Sequence, residues 1–163
     1  MKKIFLILFT LILTGCSADQ AELLSFGIVD NETIGTEKNE NLVSGMVRII
    51  DSWNLVKSTN VIPNKLSIEF GIAYKIVSPF YRDSSVIEEV IVFPDQGLTN
   101  PVTDRTAKYD SEVKTVNSGE KEYFSFKFDS PWEAKSGEWL FQVKQNGVVL
   151  LEQAFEVEPK VSN

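Results

Sequence analysis

The sequence predicts an all-β fold, an antiparallel β-sandwich of immunoglobulin-like type, with a small closed β-barrel as the alternative. Three observations carry that expectation. Apolar residues recur at every second position in several segments between Leu23 and Val157, the period of a strand with one face on a core. No segment beyond the first fifteen residues offers a convincing amphipathic helix of two turns, and there is no internal repeat. About seven strands within one domain, punctuated by Gly, Pro and Asn, match a sandwich.

The first element is a leader. Lys2 and Lys3 form a positive n-region, and Ile4–Leu13 is an apolar run broken only by Thr10. As a helix it would rise about 15 Å, half of a ~30 Å hydrocarbon core, so it reads as a secretion signal and not a span. The run ends in Leu13-Thr14-Gly15-Cys16. This resembles the bacterial lipobox, in which cleavage after the residue matched by Gly15 makes the Cys the first mature residue and its thiolate accepts lipid. An ordinary signal peptide with a chance Cys is the plain alternative. By the same resemblance, Ser17 in place of Asp favours the outer membrane, periplasmic face, over the inner membrane or the cell surface. Residues 1–15 are then leader, 16–22 a lipidated tether, 23–158 the domain and 159–163 a tail. Cleavage leaves 148 residues of the 163, and the net charge passes from −7 to −9.

Leu23–Val29 is apolar enough for a first strand, and Asn31–Asn41, rich in Asn, Glu, Thr and Gly, reads as a loop. Val43–Ile50 is a second strand, and Ser58–Asn64 a break containing Pro63. In Leu66–Val77, Leu66, Ile68, Phe70, Ile72, Tyr74 and Ile76 alternate with Ser67, Glu69 and Lys75, one face for a core and one for water. Val86–Phe93 is a denser, β-branched run stopped by Pro94. Gly97–Asp110 has little periodicity and reads as a long connection or a short edge. Phe124, Phe126 and Phe128 share a face of the next strand, as do Trp139, Phe141 and Val143 of the one after. Asn146-Gly147 then signals a hairpin turn, and Val149, Leu151, Phe155 and Val157 complete the last strand.

Four stretches carry a resemblance. They are Phe26-Gly27-Ile28; Ile62-Pro63 running to Phe70-Gly71; Phe93-Pro94 with Gly97-Leu98-Thr99-Asn100-Pro101; and Pro131-Trp132-Glu133 with Gly137-Glu138-Trp139, leading to Phe155-Glu156-Val157. In this order the chain resembles a small bacterial family known only as an uncharacterised domain. The resemblance implies a periplasmic or secreted β-sandwich and carries over no catalytic or binding residue. The polar stretch Asn31–Asn41 and the Phe80-Tyr81 tip depart from it.

Composition excludes several chemistries. With no His and one Cys, there is no Ser-His-Asp or Cys-His catalysis, no His-ligated metal, no internal disulfide and no Cys-ligated cluster. The acidic balance, 23 Asp+Glu against 16 Lys+Arg, argues against nucleic acid, whose phosphates reward basic patches. No cofactor is indicated, and no metal motif is present. Glu88-Glu89, Asp95, Asp104 and Glu133 read as solvated charge, since no spacing sets two carboxyls about 5–9 Å apart for glycoside chemistry. Glu88 and Glu89 point to opposite faces of their strand.

Two tips are candidate binding sites. Phe80, Tyr81 and Arg82 follow Pro79 in a loop, and aromatics with Arg are enriched at interfaces; the alternative is that Phe80 tucks under the sandwich end while Tyr81 and Arg82 are ordinary surface. Trp132 with Glu133 reads either as a glycan-stacking aromatic beside a carboxylate or as a Trp closing the sandwich end, with Glu133 solvated. The expectation is a non-catalytic, lipid-anchored envelope module, held to the membrane by acyl chains and presenting loops and edges to a protein or envelope partner. A module binding a glycan or small ligand is the runner-up, and an enzyme working with carboxylates alone is the third reading.

Overall fold

A computed structural model describes residues 19–79, 83–95 and 97–160. Gly15, Cys16 and the Phe80-Tyr81-Arg82 tip lie outside the described residues. Among the described residues the strands are β1 (Gln20–Val29), β2 (Thr33–Lys38), β3 (Met46–Ile50), β4 (Leu55–Lys57), β5 (Val61–Ile62), β6 (Glu69–Val77), β7 (Ser84–Val92), β8 (Leu98–Asn100), β9 (Arg105–Ala107), β10 (Tyr109–Asn117), β11 (Lys121–Lys127), β12 (Gly137–Gln145) and β13 (Val148–Val157). A four-stranded sheet, β11-β6-β1-β4, faces a five-stranded one, β10-β7-β12-β13-β5. Two further ribbons, β2–β3 and β8–β9, hold the other described strands. The architecture is a sandwich and not a closed barrel. Among the described residues no helix is long and apolar enough to cross a membrane.

Alternation decides which side chains meet. Phe70, Ile72, Tyr74 and Ile76 of β6 point inward and are fully buried. Opposite them lie Ile87 and Ile91 of β7, Trp139, Phe141 and Val143 of β12, and Phe155 and Val157 of β13. Phe70 is the hub, with ring centroids 5.4, 5.7, 5.5 and 5.2 Å from those of Phe128, Trp139, Phe141 and Phe155. The pairs with Trp139 and Phe155 are edge-to-face, an arrangement that adds about 0.5–1.5 kcal/mol each beyond area burial. The Trp139 indole N–H, buried with its ring, donates to the Lys135 carbonyl at 2.9 Å, so its burial leaves no donor unmet.

Several elements differ from the sequence expectation. β1 starts at Gln20, so Gln20–Glu22 belong to the sheet and not to a tether; they pair with Val77, Ile76 and Lys75. A bulge between Leu23 and Ser25 then shifts the inward set from Ala21 and Leu23 to Phe26 and Ile28. Asn31–Asn41 is not a loop throughout, because Thr33–Lys38 pairs with Met46–Ile50. β6 begins at Glu69 because Ser67 takes a positive φ of 67°, which ends the extended run and leaves Leu66 exposed at 45%. Val61-Ile62, in the expected break, adds to β13 in parallel. The hairpin at Asn146-Gly147 forms as expected, with φ of 50° and 78°, both positive as a type I′ turn requires.

The sandwich has two distinct ends. The β10–β11 turn, the β12–β13 turn and the start of β1 share one, where the Gly119 N–H donates to the Ile76 carbonyl at 2.8 Å. The β8–β9 hairpin and the Ser130–Glu133 turn mark the other, where Lys135 Nζ donates to the Gly97 carbonyl at 2.8 Å.

Candidate functional site

One long side of the sandwich stands open between β10 and β11, the terminal strands of the two sheets. No strand pairs with either on that side among the described residues. The β2–β3 ribbon crosses this gap as a strap fastened at both ends.

One fastening is on the outer face of β6. Glu69, expected to face water, is 3% exposed because the strap covers it. Arg48 Nη2 lies 3.0 Å from Glu69 Oε1 and Nη1 lies 3.3 Å from Oε2. Asn31 Nδ2 and Ser125 Oγ donate to Oε1 at 3.0 and 2.7 Å. A bidentate guanidinium with two further donors satisfies a buried carboxylate. Beside it, Trp53 stacks on Tyr123 at 5.5 Å with the rings 4° from parallel.

The other fastening is the strap's tip, residues 39–45. Val43 is buried, its N–H donating to Asp110 Oδ1 at 2.8 Å and its carbonyl accepting from Asn100 Nδ2 at 3.0 Å. Arg105 donates to the carbonyls of Leu42 at 3.2 Å and Asn41 at 2.7 Å, and also to that of Glu40. Burial pushes the Asp110 carboxyl up to about 6, against the lowering effects of the Val43 N–H and the Arg105 charge.

Beneath the strap lies a cavity of about 630 Å³, walled by Arg48, Glu89, Lys114, Glu122, Phe124 and Phe126 among others. Its volume falls in the ~300–1,000 Å³ range of small-ligand pockets. A polar clasp crosses its floor. Tyr74 Oη donates to Glu89 Oε1 at 2.6 Å, and Lys114 Nζ lies 3.0 Å from both Glu89 Oε1 and Glu122 Oε2. Burial raises the Glu89 carboxyl above its ordinary value, although Lys114 and Tyr74 oppose this. Burial draws the Lys114 ammonium down, but its two carboxylates outweigh that and hold it above the ordinary value. Burial and Glu89 both push the Tyr74 hydroxyl up, so it serves as a donor.

Of the candidates weighed from sequence, Glu89 and Glu133 line this cavity, whereas Asp95, Asp104 and Trp132 do not. Trp132 is partly buried against the core cluster, closing the sandwich end. Glu133 is not solvated. It is 5% exposed and accepts the Asp129 and Ser130 N–H groups at 2.8 and 2.6 Å, with burial raising its carboxyl. Glu89 is likewise buried and paired. Asp95 and Asp104 sit at positive φ, 35° and 55°. No group of three or more metal-ligating side chains occurs among the described residues. Of the cavity residues, those on β10 escaped sequence reasoning, and one signal could have found them. Asp110, Glu112, Lys114 and Val116 alternate with Tyr109, Ser111, Val113 and Thr115, a strand whose inward face is charged.

Two open-edged sheets packed over an aromatic core define an immunoglobulin-like sandwich. The fold matches a solved immunoglobulin-like protein from Pseudomonas aeruginosa, with a TM-score of 0.60 and 20% identity over 88% of this chain and 100% of that one. The chain belongs to the family described as Domain of unknown function (DUF3859), whose model matches residues 17–157. No curated protein matches it.

Proposed function

We propose that this protein is a lipid-anchored envelope module, non-catalytic, whose immunoglobulin-like domain receives an extended segment of a protein partner at its strapped side. The observation that carries the reading is the pair of unpaired strand edges, β10 and β11, facing one cleft. Edge N–H and C=O groups bind an added strand, and side-chain pockets beside them give specificity. The motif Leu13-Thr14-Gly15-Cys16 supports an acyl anchor at Cys16, and Ser17 supports the outer membrane, periplasmic face. The non-catalytic reading draws on the carboxylates of the cleft. Glu89 and Glu122 are engaged by Lys114, and Asp110 by Val43.

The test places a photo-crosslinking residue at Lys127, on the cleft, and at Val56, on the opposite edge strand β4 and 62% exposed. In intact cells a discrete adduct is expected at 127 and absent at 56. A synthetic peptide matching the captured segment should then compete and slow amide exchange in β10. Adducts at both positions, or at neither, refute the reading. The cavity volume favours a second reading, a small ligand held under the strap. A bound mass retained by the protein purified from membranes, with no adduct at 127, would select it. Labelled palmitate should enter the wild type and not Cys16→Ala.

A further inference from the structure

We infer that the β12–β13 end of the sandwich lies directly on the anchoring membrane, so that the β8–β9 end projects away from it. The inference rests on the proposed acyl anchor at Cys16 and adds the side the domain turns to the bilayer.

The observation is Asp19. It is 2% exposed and accepts hydrogen bonds from Ser78 Oγ at 2.8 Å, Ser85 Oγ at 2.5 Å and Gln145 Nε2 at 2.7 Å. Those partners sit just past the end of β6, near the start of β7 and at the end of β12, so one carboxylate ties the chain to both sheets. β1 follows at once, with Gln20 paired to Val77. Only residues 17 and 18 separate Cys16 from this clamp, and three residues of extended chain reach about 10–11 Å at most. A strand of nine residues such as β6 is about 30 Å long. The link is therefore much shorter than the domain, which cannot turn its far end to the lipid. The surface brought down has apolar side chains to offer. Val148 in the hairpin is 62% exposed and Val77 at the end of β6 is 41% exposed. Between them and the lipid there is no spacer to let the domain tumble.

The test uses the full lipidated protein in vesicles of phosphatidylethanolamine and phosphatidylglycerol carrying a headgroup quencher. A fluorophore is placed on Val148→Cys or on Val102→Cys. Both sites are exposed, Val102 at 89% in the β8–β9 turn, and a lipidated Cys16 leaves each new thiol as the one that reacts. Quenching is expected to be several-fold greater at 148 than at 102. Equal quenching, or greater quenching at 102, would overturn the inference. A Gly/Ser insert of about 20 residues after Ser17, spanning roughly 25 Å, should abolish the difference. Persistence of the difference with the insert would also overturn it, because the short clamped link would not be its cause. Failure of the anchor itself is seen separately, as an N-terminal peptide without lipid mass and protein that does not float with the vesicles.

Discussion

Asp110→Asn is expected to stabilise the protein at neutral pH, although it removes a charge that accepts a hydrogen bond. Asp110 is 6% exposed, and its Oδ1 accepts the Val43 N–H at 2.8 Å. Burial raises its carboxyl from 3.8 to about 6, the Val43 N–H and the Arg105 charge lowering it less than burial raises it. The folded chain thus keeps this proton to higher pH than the unfolded chain does. Its contribution to stability is fully present below about pH 4 and is lost as pH rises through about 6. At ~1.4 kcal/mol per pH unit, the difference is about 3 kcal/mol. Asn keeps a carbonyl for Val43 and never ionises. The variant should therefore exceed wild type by about 2–3 kcal/mol at pH 7.5 and match it near pH 4. Urea unfolding of both proteins from pH 4 to pH 8 measures this. A variant less stable than wild type at pH 7.5, with an unchanged slope between pH 4 and pH 6, would refute the reasoning. It would mean that Asp110 is ionised in the fold and that the charge-assisted bond to Val43 dominates its burial.

Two further substitutions probe the sheets around the cleft. A Cβ on Gly71 would overlap the Phe124 carbonyl oxygen and the Ser125 Cα of β11, so Gly71→Ala should cost about 3 kcal/mol or more and lower the melting temperature; an unchanged value would contradict the β6–β11 spacing. Tyr74→Phe removes the hydroxyl that donates to buried Glu89 at 2.6 Å and should cost about 1–3 kcal/mol in urea unfolding. A neutral or stabilising result would show that Lys114 alone satisfies that carboxylate.

How much of this was legible in the sequence depends on what each strand's inward face touches. β6, β12 and β13 face the aromatic core, so period-two apolar patterns marked them, and Asn146-Gly147 marked the hairpin between the last two. β10 was missed because its inward face carries Asp110, Glu112 and Lys114, which meet a cavity and the strap's tip in place of a core. β2 was missed for a related reason. A polar ribbon lying across another sheet carries no apolar stripe, and its stability comes from Glu69, Asn31 and Arg48 brought together from distant positions. Glu69 and Glu89 look solvated in the sequence, because alternation reports a face and not what covers that face. Trp132 and Glu133 were placed in the right turn. That Glu133 holds the turn by accepting its N–H groups could not be seen without knowing where the backbone closes.

The clasp of Tyr74, Glu89, Lys114 and Glu122 bears on why this side stays open. Burying an ion pair gives little net stability, and an apolar set of similar volume is often as stable or more so by about 1–4 kcal/mol. A sandwich selected for stability alone could close here on Leu and Phe, as it does along β12 and β13. Instead the two sheets are joined by one lysine bridging carboxylates from both, 3.0 Å to each. The strap that roofs the gap is held by side chains and not by strand pairing with β10 or β11. Among the described residues such fastenings leave both strand edges unpaired, with a cavity between them. Polar closure of this kind costs stability that an apolar closure would supply, and it keeps accessible the surface an added strand would need. The same construction sets the cleft along a side of the domain that runs from the β12–β13 end toward the β8–β9 end. A partner could then enter without displacing the clamp at Asp19.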